Sequence, residues 1–212
     1  MRVRIWDAPT RLFHWAIVVL VALQWWTAEE ERIELHVTLG LATLGLLLFR
    51  LTWGVVGGST ARFASFVRGP RAIFAYLRGR AGYVLGHNPL GALSVIGLLG
   101  ALAAQVGLGL FASDEDGLYG GPFAHLIDPD LSEEIAELHE DLFDVLLVLI
   151  GLHVAAIVYY AWVKRDDLVT PMITGRREVP AGVEGLRAAP AWRPAVAALS
   201  AAALATWIAS FG

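Results

Sequence analysis

The chain has 212 residues, of which 57% are hydrophobic, and its mean hydropathy is +0.59. A soluble domain of this length carries less apolar content and more charge, and here the apolar residues come in runs long enough to span a bilayer. The absence of cysteine excludes Cys-ligated iron–sulfur clusters, disulfides and any C-x-x-C-H attachment of a prosthetic group, and no Walker A or G-x-G-x-x-G motif is present. The net charge of −4 says little as a total and much as a distribution.

Residues 1–11 carry Arg2, Arg4 and Arg11, and an apolar run follows from Leu12 to about Thr27. No small-residue cleavage site comes after it, so the run reads as a retained first helix rather than a signal peptide. Trp25 and Trp26 mark its far end as interfacial aromatics. Residues 28–35 form a short acidic loop, and a second helix runs from Glu34 or Leu35 to Trp53 with His36 near its start. Residues 54–88 hold five arginines and no acid, and Pro70–Arg80 reads as a basic amphipathic helix on a membrane surface. Lipid headgroups, not nucleic acid, are the partner this patch predicts.

A third helix is expected over Pro89–Ala112, with proline at its start and many glycines and alanines that allow close approach of a helix or a flat ligand. Residues 113–138 read as an acidic loop containing Asp114, Glu115, Asp116, Glu133 and Glu134 and no lysine or arginine. A fourth helix is expected over Leu138–Trp162, and a last alanine-rich run, Ala195–Phe211, predicts a fifth C-terminal transmembrane helix without histidine. The fold class is therefore an all-α integral membrane protein, a four-helix transmembrane bundle in residues 1–177 with a linker and fifth helix in 178–212. Fifteen of the sixteen Lys and Arg residues fall on one side of this arrangement, Arg32 being the exception. The positive-inside rule then sets the N-terminus in the cytoplasm and the chain in a bacterial cytoplasmic membrane.

His139 and His153 lie on the fourth helix fourteen residues apart, which at ~100° and ~1.5 Å per residue puts both imidazoles near one face, about 21 Å apart along the axis. The topology gives His36 the depth of His139 at the outer end, and His14 the depth of His153 at the inner end. Two depth-matched pairs, each with one ligand from helix four, suit two metal centres stacked across the bilayer. A lone interfacial histidine is more often a polar anchor; an ionisable residue inside an apolar span is costly and usually functional.

Non-covalent haem b suits such pairs. Two axial imidazoles leave no open position, so each site passes electrons and does not bind oxygen. Gly40 and Gly45 and the glycines of helix three offer room for a porphyrin. Arg11 and Arg50 inside, and Arg32 outside, are the candidates for its propionates, each with positive-inside anchoring as the plain alternative. His87 caps or anchors helix three, or serves a quinone or propionate site; His125 reads as a surface residue.

The stretch Arg4-Ile5-Trp6-Asp7-Ala8-Pro9-Thr10-Arg11-Leu12-Phe13-His14-Trp15 resembles the N-terminus of the prokaryotic cytochrome b561 family, which goes with the b-type cytochrome subunits of nickel–iron hydrogenases. Leu35–Gly40, Gly86-His87-Asn88-Pro89-Leu90-Gly91, the Leu-His…Leu-His helix and Pro171–Arg176 resemble it too, so the likeness covers roughly residues 2–177. It implies two haem b groups on His14, His36, His139 and His153, and electron transfer between a membrane quinone, ubiquinone or menaquinone, and a partner on one side. That partner would be a cytochrome c or a hydrogenase or dehydrogenase subunit; the acidic outer loop suits a basic one. Two rivals stand beside this reading: a superoxide:quinone oxidoreductase, and a histidine-lined transporter for a divalent metal. The sequence leaves open whether the chain acts alone, as a homodimer or as a subunit.

Overall fold

The computed structural model describes residues 1–80, 82–114 and 119–212; of the acidic loop read from the sequence, Glu115 and Asp116 lie outside them. Each long helix begins where its sequence supplies a cap. Helix α1 (Ala8–Glu29) starts at Asp7, whose Oδ1 accepts from the Thr10 N–H at 2.9 Å. Helix α2 (Ile33–Val56) follows after a three-residue turn, so the two form an antiparallel hairpin. Two short helices come next, α3 (Phe63–Phe66) and α4 (Pro70–Leu77). Helix α5 (Pro89–Gly109) is capped by Asn88, whose Oδ1 accepts from the Gly91 N–H at 2.8 Å.

Helix α6 spans Pro129–Trp162, and its 34 residues begin nine positions before the expected start. Asp128 caps it through the Asp130 N–H at 3.0 Å, and Pro129 takes the first turn. The acidic segment 129–137 is thus helical, not loop. At ~1.5 Å per residue α6 is about 51 Å long, well beyond the ~30 Å hydrocarbon core, so its acidic start stands clear of the apolar part. Helix α7 (Val169–Thr174) and helix α8 (Arg193–Ala209) complete the chain.

Four helices, α1, α2, α5 and α6, are long and apolar enough to cross a membrane; α8 is apolar but shorter. The chain is a multi-pass membrane protein. Helix α1 packs on α2, α2 on α5, α5 on α6, and α8 on the far side of α2. Leu44, Leu47, Leu102, Val106 and Leu146 form the core where α2, α5 and α6 meet. Helix α8 runs between the same two ends as α2. Arg193 Nη1 donates to Val56 O at 3.0 Å at one end, and Phe211 packs on Phe123 at the other.

A departure from the all-helical expectation is a two-stranded clip, β1 (Arg2–Arg4) antiparallel to β2 (Arg176–Glu178). Three-residue strands rich in arginine are too short to leave a period-two signature. The clip ties the first residues to the segment after α7. Ile5 N and Trp6 N also donate to Gly175 O, and Leu186 N to Arg4 O. Residues 178–192 are therefore packed against the helical unit rather than strung from it. The end that holds the clip, α3, α4 and α7 is called the basic end below, and the other the acidic end.

Candidate functional site: two pairs of histidines

At the acidic end, His36 on α2 and His139 on α6 face each other with ring centroids 6.1 Å apart and planes crossed at 83°. Two imidazoles bound on opposite sides of one ion through bonds of about 2.1 Å hold their ring centres roughly 6 Å apart, so the spacing fits a shared metal. The ring nitrogens are sorted for it. His36 Nδ1 bonds to Gln24 O at 3.0 Å and His139 Nδ1 to Gln105 O at 2.9 Å. A proton held at Nδ1 by a carbonyl fixes the tautomer and leaves Nε2 as the ligating atom, the arrangement that orients and enriches metal-bound histidines.

The support of this pair comes from residues the sequence reading passed over. Gln105 lies in the middle of an apolar face and is buried; its Nε2 donates to His139 O at 2.8 Å. Gln24 Nε2 donates to Thr43 Oγ1 at 3.3 Å, holding α1 to α2 beside His36. A lone amide within an apolar span was the available signal. Gly109 gives His139 its place, since a Cβ there would stand 3.0 Å from Cε1 of the ring. Gly40 lies beside Gln24. Gly45 faces Ala205 of α8, whereas Gly97, Gly100 and Gly107 of α5 border open space. Arg32 is exposed and lies over the Trp26 ring at 5.1 Å.

At the basic end, His14, His153, His87 and Arg50 gather within reach of one another's charge. His14 lies six residues into α1 from Ala8, and Arg50 six residues before Val56, which puts both about 9 Å from the helix ends. His153 Nδ1 is 3.3 Å from Ser94 Oγ on α5. His14 Nδ1 is shielded and has no protein partner. His87 sits between Trp6, at 4.6 Å, and Phe66, at 4.8 Å. Burial pushes its pKa down to about 3, helped by the charges of Arg50, His153 and His14, so the ring is neutral. Its expected capping role belongs instead to the neighbouring Asn88.

Arg11 donates through Nη1 to Ile173 O, pinning α1 to α7. His125 is exposed in a short turn, Ala124–Leu126, at the acidic end. Among the described residues no group of three or more His, Asp or Glu side chains gathers as a metal cage. Two imidazoles alone are a sparse donor set for a divalent cation and a complete axial set for haem iron.

The family model for prokaryotic cytochrome b561 matches residues 5–175. No curated protein and no solved structure matches the chain. The match takes in the four long apolar helices, His14, His36, His139 and His153, and the segment through α7. The chain belongs to the prokaryotic cytochrome b561 family, a membrane b-type cytochrome of electron transfer.

Proposed function

We propose that this protein is a dihaem cytochrome b of the bacterial cytoplasmic membrane, passing electrons between the quinone pool and a redox partner on the acidic side, with its N-terminus in the cytoplasm. The observation that carries the reading is the crossed His36–His139 pair, with both Nδ1 atoms committed to backbone carbonyls. A haem held by such a histidine pair would supply one-electron transfer there.

The residues supply the rest. His36 and His139 hold one centre near the acidic end; His14 and His153 hold the other near the basic end. Helix α6 fixes the separation, because His139 and His153 share one rigid element. Gln24, Gln105 and Ser94 orient three of the four rings. Gly40, Arg11 and Arg50 complete the proposed cofactor contacts. The acidic start of α6 would receive a basic partner, a cytochrome c or an oxidoreductase subunit, and complementary charge would steer that encounter.

Proteoliposomes holding the purified chain test the proposal. A ubiquinol or menaquinol analogue should reduce the haem absorbance at the α band, and a basic cytochrome c added outside should reoxidise it. The reoxidation rate should fall as salt rises, since exposed charges are screened over about 10 Å at 0.1 M. Haem that no quinol reduces would overturn the quinone half, and salt-independent reoxidation the partner half.

A further inference from the structure

Arg50 is only 3% exposed, yet its Nη1 has no hydrogen-bond partner among the described residues. A guanidinium removed from water without a counter-ion is costly, and buried charges are normally paired. Among the described residues this one is not. Asp7 is the acid whose charge reaches Arg50, but Asp7 accepts from Trp53 Nε1, at 3.1 and 3.3 Å, and from Thr10 N, and Arg50 forms no ion pair among the described residues. The face of the guanidinium is covered by the Phe63 ring, 4.8 Å away, which can lie there because residue 54 is glycine; a Cβ at Gly54 would collide with it.

Beside this cation is a second unsatisfied group. His87 Nδ1 is shielded and has no partner among the described residues, and its ring lies against the buried Trp6 and Phe66. Gly86, at φ +87°, turns the chain so that His87 meets these rings, and a Cβ there would press on Trp6 at 3.4 Å. Both aromatic rings meet the imidazole at a tilt, Trp6 at 53° and Phe66 at 51°. What the two groups lack is a compact anion. A neutral carbonyl would leave the Arg50 charge uncompensated; a carboxylate on a short flexible arm would answer both.

We propose that Arg50 and His87 together form the receptor for a carboxylate of the ligand held between His14 and His153, the propionate of the haem proposed for the basic end. The inference rests on the dihaem reading. It gives His87 a binding role in place of a helix cap and makes Arg50, at the depth of His14, the cation that sets that centre's potential.

Equilibrium redox titration of the purified chain, with haem-to-protein ratio measured on each sample, tests it. In Arg50→Gln both haems should remain and one of the two reductive waves should move to lower potential, because the cation favouring the reduced state is gone; Arg50→Lys should restore most of the shift. His87→Leu should move the same wave in the same direction, by less. Waves that stay at the wild-type positions in Arg50→Gln, or a shift that Lys does not reverse, would overturn the proposal while leaving two haems in place. If Arg50→Gln does not fold, Arg50→Lys and His87→Leu decide it through the propionate bending band in resonance Raman spectra: a displaced band supports the contact, an unmoved band in both removes it. A wild-type chain without haem would instead end the dihaem reading itself.

Discussion

The Asp7 carboxylate joins the start of α1 to the end of α2 through a residue 46 positions away in the sequence. It caps α1 through the Thr10 N–H and accepts the indole N–H of Trp53, which is buried near the end of α2. Loss of a helix cap costs about 1 kcal/mol, and an indole N–H left buried and unpaired about 1–3 kcal/mol more. Asp7→Ala should therefore lower stability by roughly 2–4 kcal/mol, read as an earlier thermal transition in detergent. Trp53→Phe, which removes the donor as well as packing, should destabilise less when combined with Asp7→Ala than the two separate losses sum to. Additive losses would mean the pair does not interact. This contact was not legible in the sequence, because nothing in the identities of two residues 46 positions apart announces that they meet. Of the candidate histidines, His153 stood out as a lone ionisable group in an apolar run, and His139, which sits among Glu137, Glu140 and Asp141, only through its fourteen-residue spacing from His153. The Nδ1 partners of the histidines were not legible, since two of the three are backbone carbonyls that no residue identity announces.

At the scale of elements, hydropathy located the four long helices and misjudged where α6 begins. Its first nine residues lie beyond the apolar stretch, and their acids look like loop unless the Asp128–Pro129 cap is given its weight. Helix α8 was legible as an apolar run, but its neighbour was not: the small residues Gly45 and Ala205 face one another across α2 and α8. Helix α7 ends on Gly175 at φ +76°, whose carbonyl receives Ile5 and Trp6. At its start Asp167 is held below the usual carboxylate range by bonds from Thr170, hydroxyl first and then N–H, with the Val169 N–H and the Arg177 charge adding and burial opposing. The folded state thus favours the ionised form. Its contribution is fully present above the ordinary value of 3.8 and is lost as pH falls through the lower folded value. Asp167→Asn should flatten the fall in melting temperature below about pH 4; an acid limb as steep as the wild type would show that Asp167 contributes nothing there.

Across the whole molecule the two ends differ in a way that suits a transmembrane electron path. The acidic end has a rigid imidazole pair with both Nδ1 positions satisfied. The basic end has two shielded imidazole nitrogens and one guanidinium nitrogen without a partner among the described residues, and there the clip joins the first residues to the segment after α7. Depth matching from the charge asymmetry pairs His36 with His139 and His14 with His153 across four alternating helices, and the structure sets the first two rings 6.1 Å apart. What depth cannot give is rotation about each helix axis: Gly45, read with Gly40 as room for a porphyrin, lies against Ala205 of α8.

The measurement that bears most directly on the dihaem proposal is the haem-to-protein ratio of the detergent-purified chain, taken with redox difference spectra, beside His139→Ala and His153→Ala. Two haems per chain in the wild type and one in each variant are predicted, with a different member of the pair lost in each. A wild-type ratio of one, or variants that keep both haems, would contradict the two paired sites.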